Sequence, residues 1–295
     1  MFEGIITPIV TPFYRDEGHT INYEATERLI NYLIDKGVSG IFILGSNGEF
    51  YVIDEHEKIE FTEKVVKFVN HRVPVFAGSG ACSTYAAMRM SRKMESLGID
   101  AISVISPYFA SPTEDELYQY YKDIAGSVAI PVVLYNIPRM TGVNISAGVV
   151  SRLSKIKNVV GIKDSSRNLD NLKGYVDATR GTQMSVLVGS DSIISEGYRL
   201  GATGAIASLS NAIADIILNL FKALKSGDEQ KIEFLQKEIK DFSDFNKLGT
   251  MPSILKRSVE LAGIAPVGPA RRPASEPSKE MDEKIKIMLK RYGLL

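Results

Sequence analysis

The sequence predicts an α/β fold, a (β/α)8 barrel with a C-terminal helical extension. Short apolar runs rich in β-branched residues recur along it without apolar/polar alternation, so each is predicted to be a strand covered on both faces. The runs span residues 4–10, 40–44, 73–78, 101–106, 130–136, 158–163, 185–189 and 204–208. Helical patterns separate them, which predicts a parallel sheet. Eight such units in about 225 residues fit a closed barrel, with an open doubly wound sheet as the alternative.

The last part of the chain is predicted to be helical only. After Leu224 helical patterns cover residues 227–246, 250–262 and 278–291, and a proline-rich loop covers 263–277. We therefore expect residues 1–225 to form the barrel with the active site. Residues 226–295 are expected to be a helical extension of the same domain.

Composition narrows the class of protein. The 295 residues are 44% hydrophobic, and 35 basic residues balance 35 acidic ones, so nothing favours a nucleic-acid partner. Cys82 is the single cysteine, which excludes a disulfide framework and a thiolate metal cluster. No basic leader and no apolar run of bilayer length occurs. These features predict a cytoplasmic protein with no membrane partner.

Motifs for bound cofactors and metals are missing from the sequence. No G-x-x-x-x-G-K-[ST] occurs, and "GSGACS" (78–83) lacks the third glycine of a dinucleotide-binding loop. The histidines at 19, 56 and 71 are scattered, and no H-E-x-x-H occurs. We therefore expect neither a metal nor a cofactor.

Lys163 is the first candidate catalytic residue because it closes the apolar run "NVVGIK" (158–163). Reactive groups of a barrel lie at the carboxyl ends of its strands. Apolar walls disfavour the charged form of an amine. A neutral lysine amine can attack the ketone of a 2-oxo acid such as pyruvate and form a Schiff base. The alternative is a strand-end lysine that pairs with Asp164 or another acid.

Two further strand ends support this chemistry. Tyr135 closes the fifth predicted strand, next to the sixth in a barrel, so its phenol could relay protons to and from the amine. Its alternative is a core aromatic residue. The turn "GSNGEF" (45–50) offers backbone N–H groups and the Ser46 hydroxyl, which suit a carboxylate. A tight turn would need the same glycines.

Six segments, in the order expected of a barrel, carry a family resemblance. They are "GIITPIVTPF", "LGSNGEF", "VISPYF", "VVLYNIPRMTG", "GIKDS" and "GSDSIISEGYRLGATGAIASLSN". Over essentially its whole length the chain resembles the dihydrodipicolinate synthase / N-acetylneuraminate lyase family of Schiff-base lyases. The resemblance implies that Lys163 forms the imine and Tyr135 relays protons. It also implies that Ser46 and Asn47 bind the 2-oxo acid carboxylate, that Ile206 contributes its backbone near the imine, and that the protein is a homotetramer.

Two positions depart from the synthases of that family. Those enzymes typically carry Y-N-x-P-x-R-T-G, in which the arginine holds the carboxylate of the aldehyde substrate. Here "YNIPRMTG" places Met140 at that position and Arg139 one residue earlier. The synthases also carry a Tyr–Tyr pair after the fourth strand, and here the pair is Tyr108–Phe109. The second tyrosine of the family completes a proton relay across a subunit interface.

"GSNGEF" and "GIKDS" are more similar to aldolases of 4-hydroxy-2-oxoglutarate and of 2-keto-3-deoxy sugar acids. We therefore predict a cofactor-free class I aldolase that reversibly cleaves such an acid to pyruvate and an aldehyde. Gly189, Ser190 and Asp191 would then face the polyol tail, although Asp191 could equally cap the next helix. Two alternatives stay open. One is synthesis of 4-hydroxy-tetrahydrodipicolinate from pyruvate and aspartate semialdehyde, and the other is a non-catalytic 2-oxo acid sensor.

Overall fold

A computed structural model, which describes residues 2–295, has eight strands in a closed barrel that follows chain order. The strands are β1 (Gly4–Pro8), β2 (Gly40–Ile43), β3 (Val75–Gly78), β4 (Ala101–Ile105), β5 (Val132–Asn136), β6 (Val159–Asp164), β7 (Ser185–Val188) and β8 (Gly204–Ile206). The predicted fold class and all eight predicted strands are confirmed.

Helices separate consecutive strands and continue after the last one. They are α1 (Tyr23–Lys36), α2 (Glu55–Val69), α3 (Thr84–Ser96), α4 (Glu114–Gly126), α5 (Pro138–Thr141), α6 (Ala147–Leu153), α7 (Leu169–Ala178), α8 (Ile194–Leu200), α9 (Ser210–Ser226), α10 (Glu229–Phe245), α11 (Ser253–Leu261) and α12 (Lys279–Arg291). The three helices predicted for the tail correspond to α10, α11 and α12. None of the helices within residues 2–295 combines the length and the apolar character needed to cross a membrane.

The chain forms two compact units. The first comprises the residues up to Ile6 together with Pro74–Ala207, and it contains β3 to β8 with α3 to α8. Its neighbouring strands pair in parallel, as in β5 and β6, where Tyr135 is the register partner of Lys163 and Asn136 that of Asp164. This last pair extends β6 to Asp164. The sequence-based end of the strand at Lys163 was therefore wrong by one residue.

The second unit comprises Thr7–Val73 and Ser208–Leu295. Local sequence explains its first helices. Helix α1 buries one apolar face and ends at Gly37, whose φ of 95° is a conformation that glycine adopts at little cost. Helix α2 begins with a capping box, in which Asp54 and Glu57 each accept a backbone N–H of the other residue.

Candidate active site

The ends of β5 and β6 bring the two predicted catalytic side chains together. The Nζ atom of Lys163 lies 4.0 Å from the centroid of the Tyr135 ring. The two side chains are 3% and 4% exposed. Both come from adjacent strands at the same register level, so the backbone pairing fixes their separation. The structure therefore places a buried amine beside a phenol-bearing ring.

Asp164, the acid expected as an alternative partner of Lys163, is engaged elsewhere. Its Oδ1 atom accepts hydrogen bonds from Asn136 Nδ2 at 2.9 Å and from the Ser166 N–H at 3.0 Å. Its Oδ2 atom accepts the Ser166 hydroxyl at 2.8 Å. Successive side chains of a strand point to opposite faces, so this carboxylate and the Lys163 amine lie on different sides of β6.

The loop after β7 lies against the end of β6. The Gly189 N–H donates to the Asp164 carbonyl at 2.7 Å, and the Gly189 carbonyl accepts the Ser165 hydroxyl at 3.1 Å. A Cβ atom at position 189 would lie 2.8 Å from the backbone carbonyl oxygen of Asp164 and 2.2 Å from Ser165 Oγ, so a residue with a side chain would force the backbone to shift. Ser190 and Asp191 follow and are buried. Asp191 is the first residue of a 3-10 turn at Asp191–Ile193, directly before α8.

Ile206, the position expected to offer its backbone, is the last residue of β8. Its side chain is buried, and it is the register partner of Ile6 in β1. The Ala207 N–H that follows donates to the Ile6 carbonyl at 3.0 Å. The strand end is therefore fixed by backbone pairing within the first unit.

Ser46 and Asn47 lie in the second unit, in the turn after β2. Ser46 is buried and Asn47 is half-buried. The turn is bounded by Leu44 and Glu49, whose φ angles of 56° and 59° lie in the left-handed region that non-glycine residues avoid. Between them, a Cβ atom at Gly48 would come within 3.1 Å of the Leu44 backbone nitrogen, a tight contact that favours glycine. A strained turn of this kind persists only where its surroundings hold it.

A charge cluster, formed by the buried Glu49 and Lys256 and the partly buried Arg271, holds the end of this turn. The Lys256 ammonium donates to Glu49 Oε1 at 3.0 Å and to the Thr11 carbonyl at 2.7 Å. The Arg271 N–H donates to Glu49 Oε2 at 2.7 Å, and its guanidinium binds both oxygens of Glu57. Burial lowers the pKa of Lys256 to about 8 and raises the pKa of Glu49.

Arg139 and Met140 lie in the short helix α5, and both are exposed, Met140 by 47%. One residue along a helix turns the side chain by about 100°. Arg139 therefore does not present its guanidinium where an arginine at position 140 would. Phe109 is fully exposed, and its φ of 81° is again left-handed.

The sequence analysis missed the hydrogen-bond and ion-pair partners that lie beside the predicted site residues. It did not identify the Asn136–Asp164 hydrogen bond, although each of the two residues directly follows a candidate catalytic residue in adjacent strands. It also missed the charge cluster at Glu49, whose members are far apart in the chain. Among residues 2–295 no group of three or more His, Cys, Asp or Glu side chains could hold a metal ion.

Comparisons with known proteins agree with this fold. The Dihydrodipicolinate synthetase family matches residues 1–292. The 4-hydroxy-tetrahydrodipicolinate synthase of Methanoculleus marisnigri is 33% identical over 99% of this chain and 100% of its own. The dihydrodipicolinate synthase of Thermotoga maritima superposes with a TM-score of 0.95 at 30% identity, with both chains covered completely.

A third relative carries a ligand. YagE, a prophage protein of the dihydrodipicolinic acid synthase family from E. coli K12, was solved in complex with pyruvate. It superposes with a TM-score of 0.94 at 30% identity over the whole of both chains.

The fold and its matches define a class I lyase, an enzyme class that works through a lysine Schiff base. More specifically, the chain belongs to the dihydrodipicolinate synthetase family.

Proposed function

We propose that this protein forms a Schiff base between Lys163 and pyruvate and joins the resulting enamine to an aldehyde. The observation that carries the proposal is the buried Lys163 amine at 4.0 Å from the Tyr135 ring. The amine adds to the ketone carbon, and loss of water from the carbinolamine gives an iminium. Loss of a methyl proton then gives the enamine, whose carbon attacks the aldehyde. Hydrolysis of the product imine regenerates Lys163.

Tyr135 is proposed to move the protons. A phenol can donate a proton to the departing hydroxyl of the carbinolamine and later take one back. Its support is its register partnership with Lys163, which holds the ring beside the amine without any loop movement.

The other predicted site residues are proposed to bind substrate. Ser46 and Asn47 would hold the pyruvate carboxylate, as the family resemblance implies. Ile206 would contribute backbone near the imine. Gly189, Ser190, Asp191 and Arg139 would contact the aldehyde part of the substrate. All of them lie at or after the carboxyl ends of strands, where reactive and binding groups of a barrel lie.

The first candidate reaction is synthesis of 4-hydroxy-tetrahydrodipicolinate from pyruvate and aspartate semialdehyde. Its support is the names of relatives such as the Methanoculleus marisnigri enzyme. Arg139 would then have to supply the cation for the semialdehyde carboxylate.

The second candidate is reversible aldol cleavage of a 2-keto-3-deoxy sugar acid or a 4-hydroxy-2-oxo acid. Its support is the apolar, half-exposed Met140 at the position where the synthases carry arginine. An apolar side chain there removes the charge that would select a carboxylated aldehyde.

Borohydride trapping with pyruvate tests the shared step. We expect a reduced pyruvyl adduct on the peptide that contains Lys163 and none in Lys163→Ala. An unlabelled wild-type protein, under conditions that label another family member, would contradict the proposal. Turnover with a panel containing aspartate semialdehyde and short hydroxyaldehydes then decides between the two reactions. Labelling without turnover of any aldehyde would leave a protein that only senses the 2-oxo acid.

We also propose a homotetramer located in the cytoplasm, as the family resemblance and the composition suggest. Residues 226–295 are proposed to extend the barrel domain and to have no separate activity. Sedimentation velocity of the full-length protein measures the first of these points directly.

A further inference from the structure

A buried amide–carboxylate pair joins the ends of β5 and β6. Asn136 Nδ2 donates to Asp164 Oδ1 at 2.9 Å, and the two side chains are 0% and 2% exposed. The two residues are register partners, and each directly follows the residue proposed above for the chemistry. Burying polar groups costs free energy unless they are hydrogen-bonded, and this pair lies next to Tyr135 and Lys163.

The amide of Asn136 is fixed by more than Asp164. Its Nδ2 atom also donates to Asn144 Oδ1 at 2.9 Å, and its Oδ1 atom accepts the Ile145 N–H at 3.0 Å. The backbone carbonyl of Asn136 accepts the Ser165 N–H at 2.8 Å. These contacts fix the orientation of the amide, so its N–H group must point at the end of β6.

Asp164 is equally constrained. Ser166 donates to both of its carboxylate oxygens, and the Gly189 N–H donates to its carbonyl. The carboxylate therefore has its charge compensated by donors on its own face of β6, opposite the face of the Lys163 amine. Asn136 and Ser166 therefore supply donors to both oxygens of the acid that follows Lys163 in sequence.

We propose that Asn136 and Asp164 are positioning residues for Schiff-base formation, an inference that rests on the function proposed above. Their hydrogen bond fixes the register of the ends of β5 and β6, and Tyr135 and Lys163 therefore stay in contact across the two strands. A misplacement of about 1 Å in such a pair can cost about 10²-fold in rate.

The substitution Asn136→Asp tests this with little change of shape. It places a second carboxyl where the amide stood, and the negative charge of one carboxylate raises the pKa of the other, so that both are ionised only at higher pH. At low pH the pair can share a proton and keep a hydrogen bond, whereas at higher pH the charges repel. We expect the rate constant of adduct formation with pyruvate to fall by about 10²-fold at pH 8.5 and by much less at pH 6.5, each relative to wild type.

Asn158→Asp is the matched control. Asn158 precedes the opposite end of β6, and its Nδ2 atom donates to the carbonyls of Ala125, Val128 and Ile130. The same substitution there also removes a donor and adds a charge, but far along the strand from Lys163. We expect it to lower stability and the fraction of molecules that become labelled. The rate constant in the folded molecules should stay within about twofold of wild type and show no new pH dependence.

Ser166→Ala supplies a milder variant that keeps the test valid if Asn136→Asp does not fold. It removes the hydroxyl that donates to Asp164 Oδ2 and should slow labelling by about fivefold, the effect of one hydrogen bond. Wild-type rate constants in a folded Asn136→Asp variant, or in Ser166→Ala if the first does not fold, would overturn the inference. An equal loss in Asn158→Asp would also overturn it. A wild-type protein that forms no adduct contradicts the proposed function instead.

Discussion

Two buried lysines of this protein lie over aromatic rings in similar ways. Lys163 has its Nζ atom 4.0 Å from the Tyr135 ring centroid, and Lys256 has its own 4.2 Å from the Phe13 ring centroid. They are 3% and 1% exposed. Neither burial nor an aromatic contact separates them, so these two properties alone do not identify a reactive lysine.

The position in the fold and the neighbouring groups do separate them. Lys256 lies within helix α11 and donates to a buried carboxylate, that of Glu49, and to a backbone carbonyl. Lys163 lies near the carboxyl end of a barrel strand, and the carboxylate next to it in sequence accepts hydrogen bonds from Asn136 and Ser166. The ring beside Lys163 carries a hydroxyl that can exchange protons, whereas the ring beside Lys256 carries none.

These contacts distinguish Lys163, which we propose forms the Schiff base, from Lys256, whose contacts are those of a structural ion pair. A buried ion pair contributes little net stability, yet removing one partner leaves an uncompensated charge. Lys256 and Glu49 thereby hold the strained turn that contains Ser46 and Asn47. Substitution of Lys256 should therefore lower stability, whereas substitution of Lys163 should abolish formation of the pyruvyl adduct.

Removing Lys256 should give the largest effect on stability. We expect Lys256→Met to lower the free energy of unfolding by about 3–5 kcal/mol, because Glu49 is left buried without its cation. The folded fraction should still form the pyruvyl adduct at Lys163. Urea denaturation and peptide mapping of the trapped adduct measure the two quantities.

The double variant Glu49→Gln/Lys256→Met is the control for that substitution. With both charges removed, it should recover part of the lost stability. If folded Lys256→Met formed no adduct at Lys163, the separation of the two lysines would be contradicted.

The comparison also shows how far the sequence could predict this molecule. The barrel and its strand-end residues are local patterns: apolar runs mark strands, and Lys163 and Tyr135 come at the end of such runs. The partners of Glu49 could not be predicted in this way, since Lys256 is 207 residues away along the chain and is brought to it only by tertiary packing. The extension of β6 to Asp164 likewise depends on pairing with Asn136, which is not a property of either segment alone.

Tyr135→Phe sharpens the comparison by making the ring beside Lys163 resemble the ring beside Lys256. The ring and its contact with the amine remain, and only the proton-exchanging hydroxyl is lost. We expect turnover to fall by about 10²-fold, within the range typical of general acid–base groups. Steady-state kinetics with the aldehyde that proves to be the substrate measures the loss. Unchanged turnover would mean that the Tyr135 hydroxyl is not the proton relay. The Tyr135 ring would then only pack against its lysine, as the Phe13 ring does.

The smallest expected effect is a change in the free energy of unfolding with pH that arises from the Lys256 amine. Burial lowers its pKa from an ordinary 10.5 to about 8 in the folded protein. Between pH 8 and 10.5 the unfolded chain therefore holds a proton that the folded chain has lost, so the free energy of unfolding rises with pH in that window. The slope approaches at most about 1.4 kcal/mol per pH unit.

The measurement is the difference in unfolding free energy between wild type and Lys256→Met at pH 7.5, 8.5 and 9.5. Other groups that titrate in this range contribute to both proteins and cancel in the difference. The difference should increase in favour of wild type as pH rises, because only wild type has a buried ammonium whose desolvation cost is relieved by deprotonation. A flat or falling difference would mean that Lys256 stays charged through this range. The ion pair with Glu49 would then outweigh the burial of the amine.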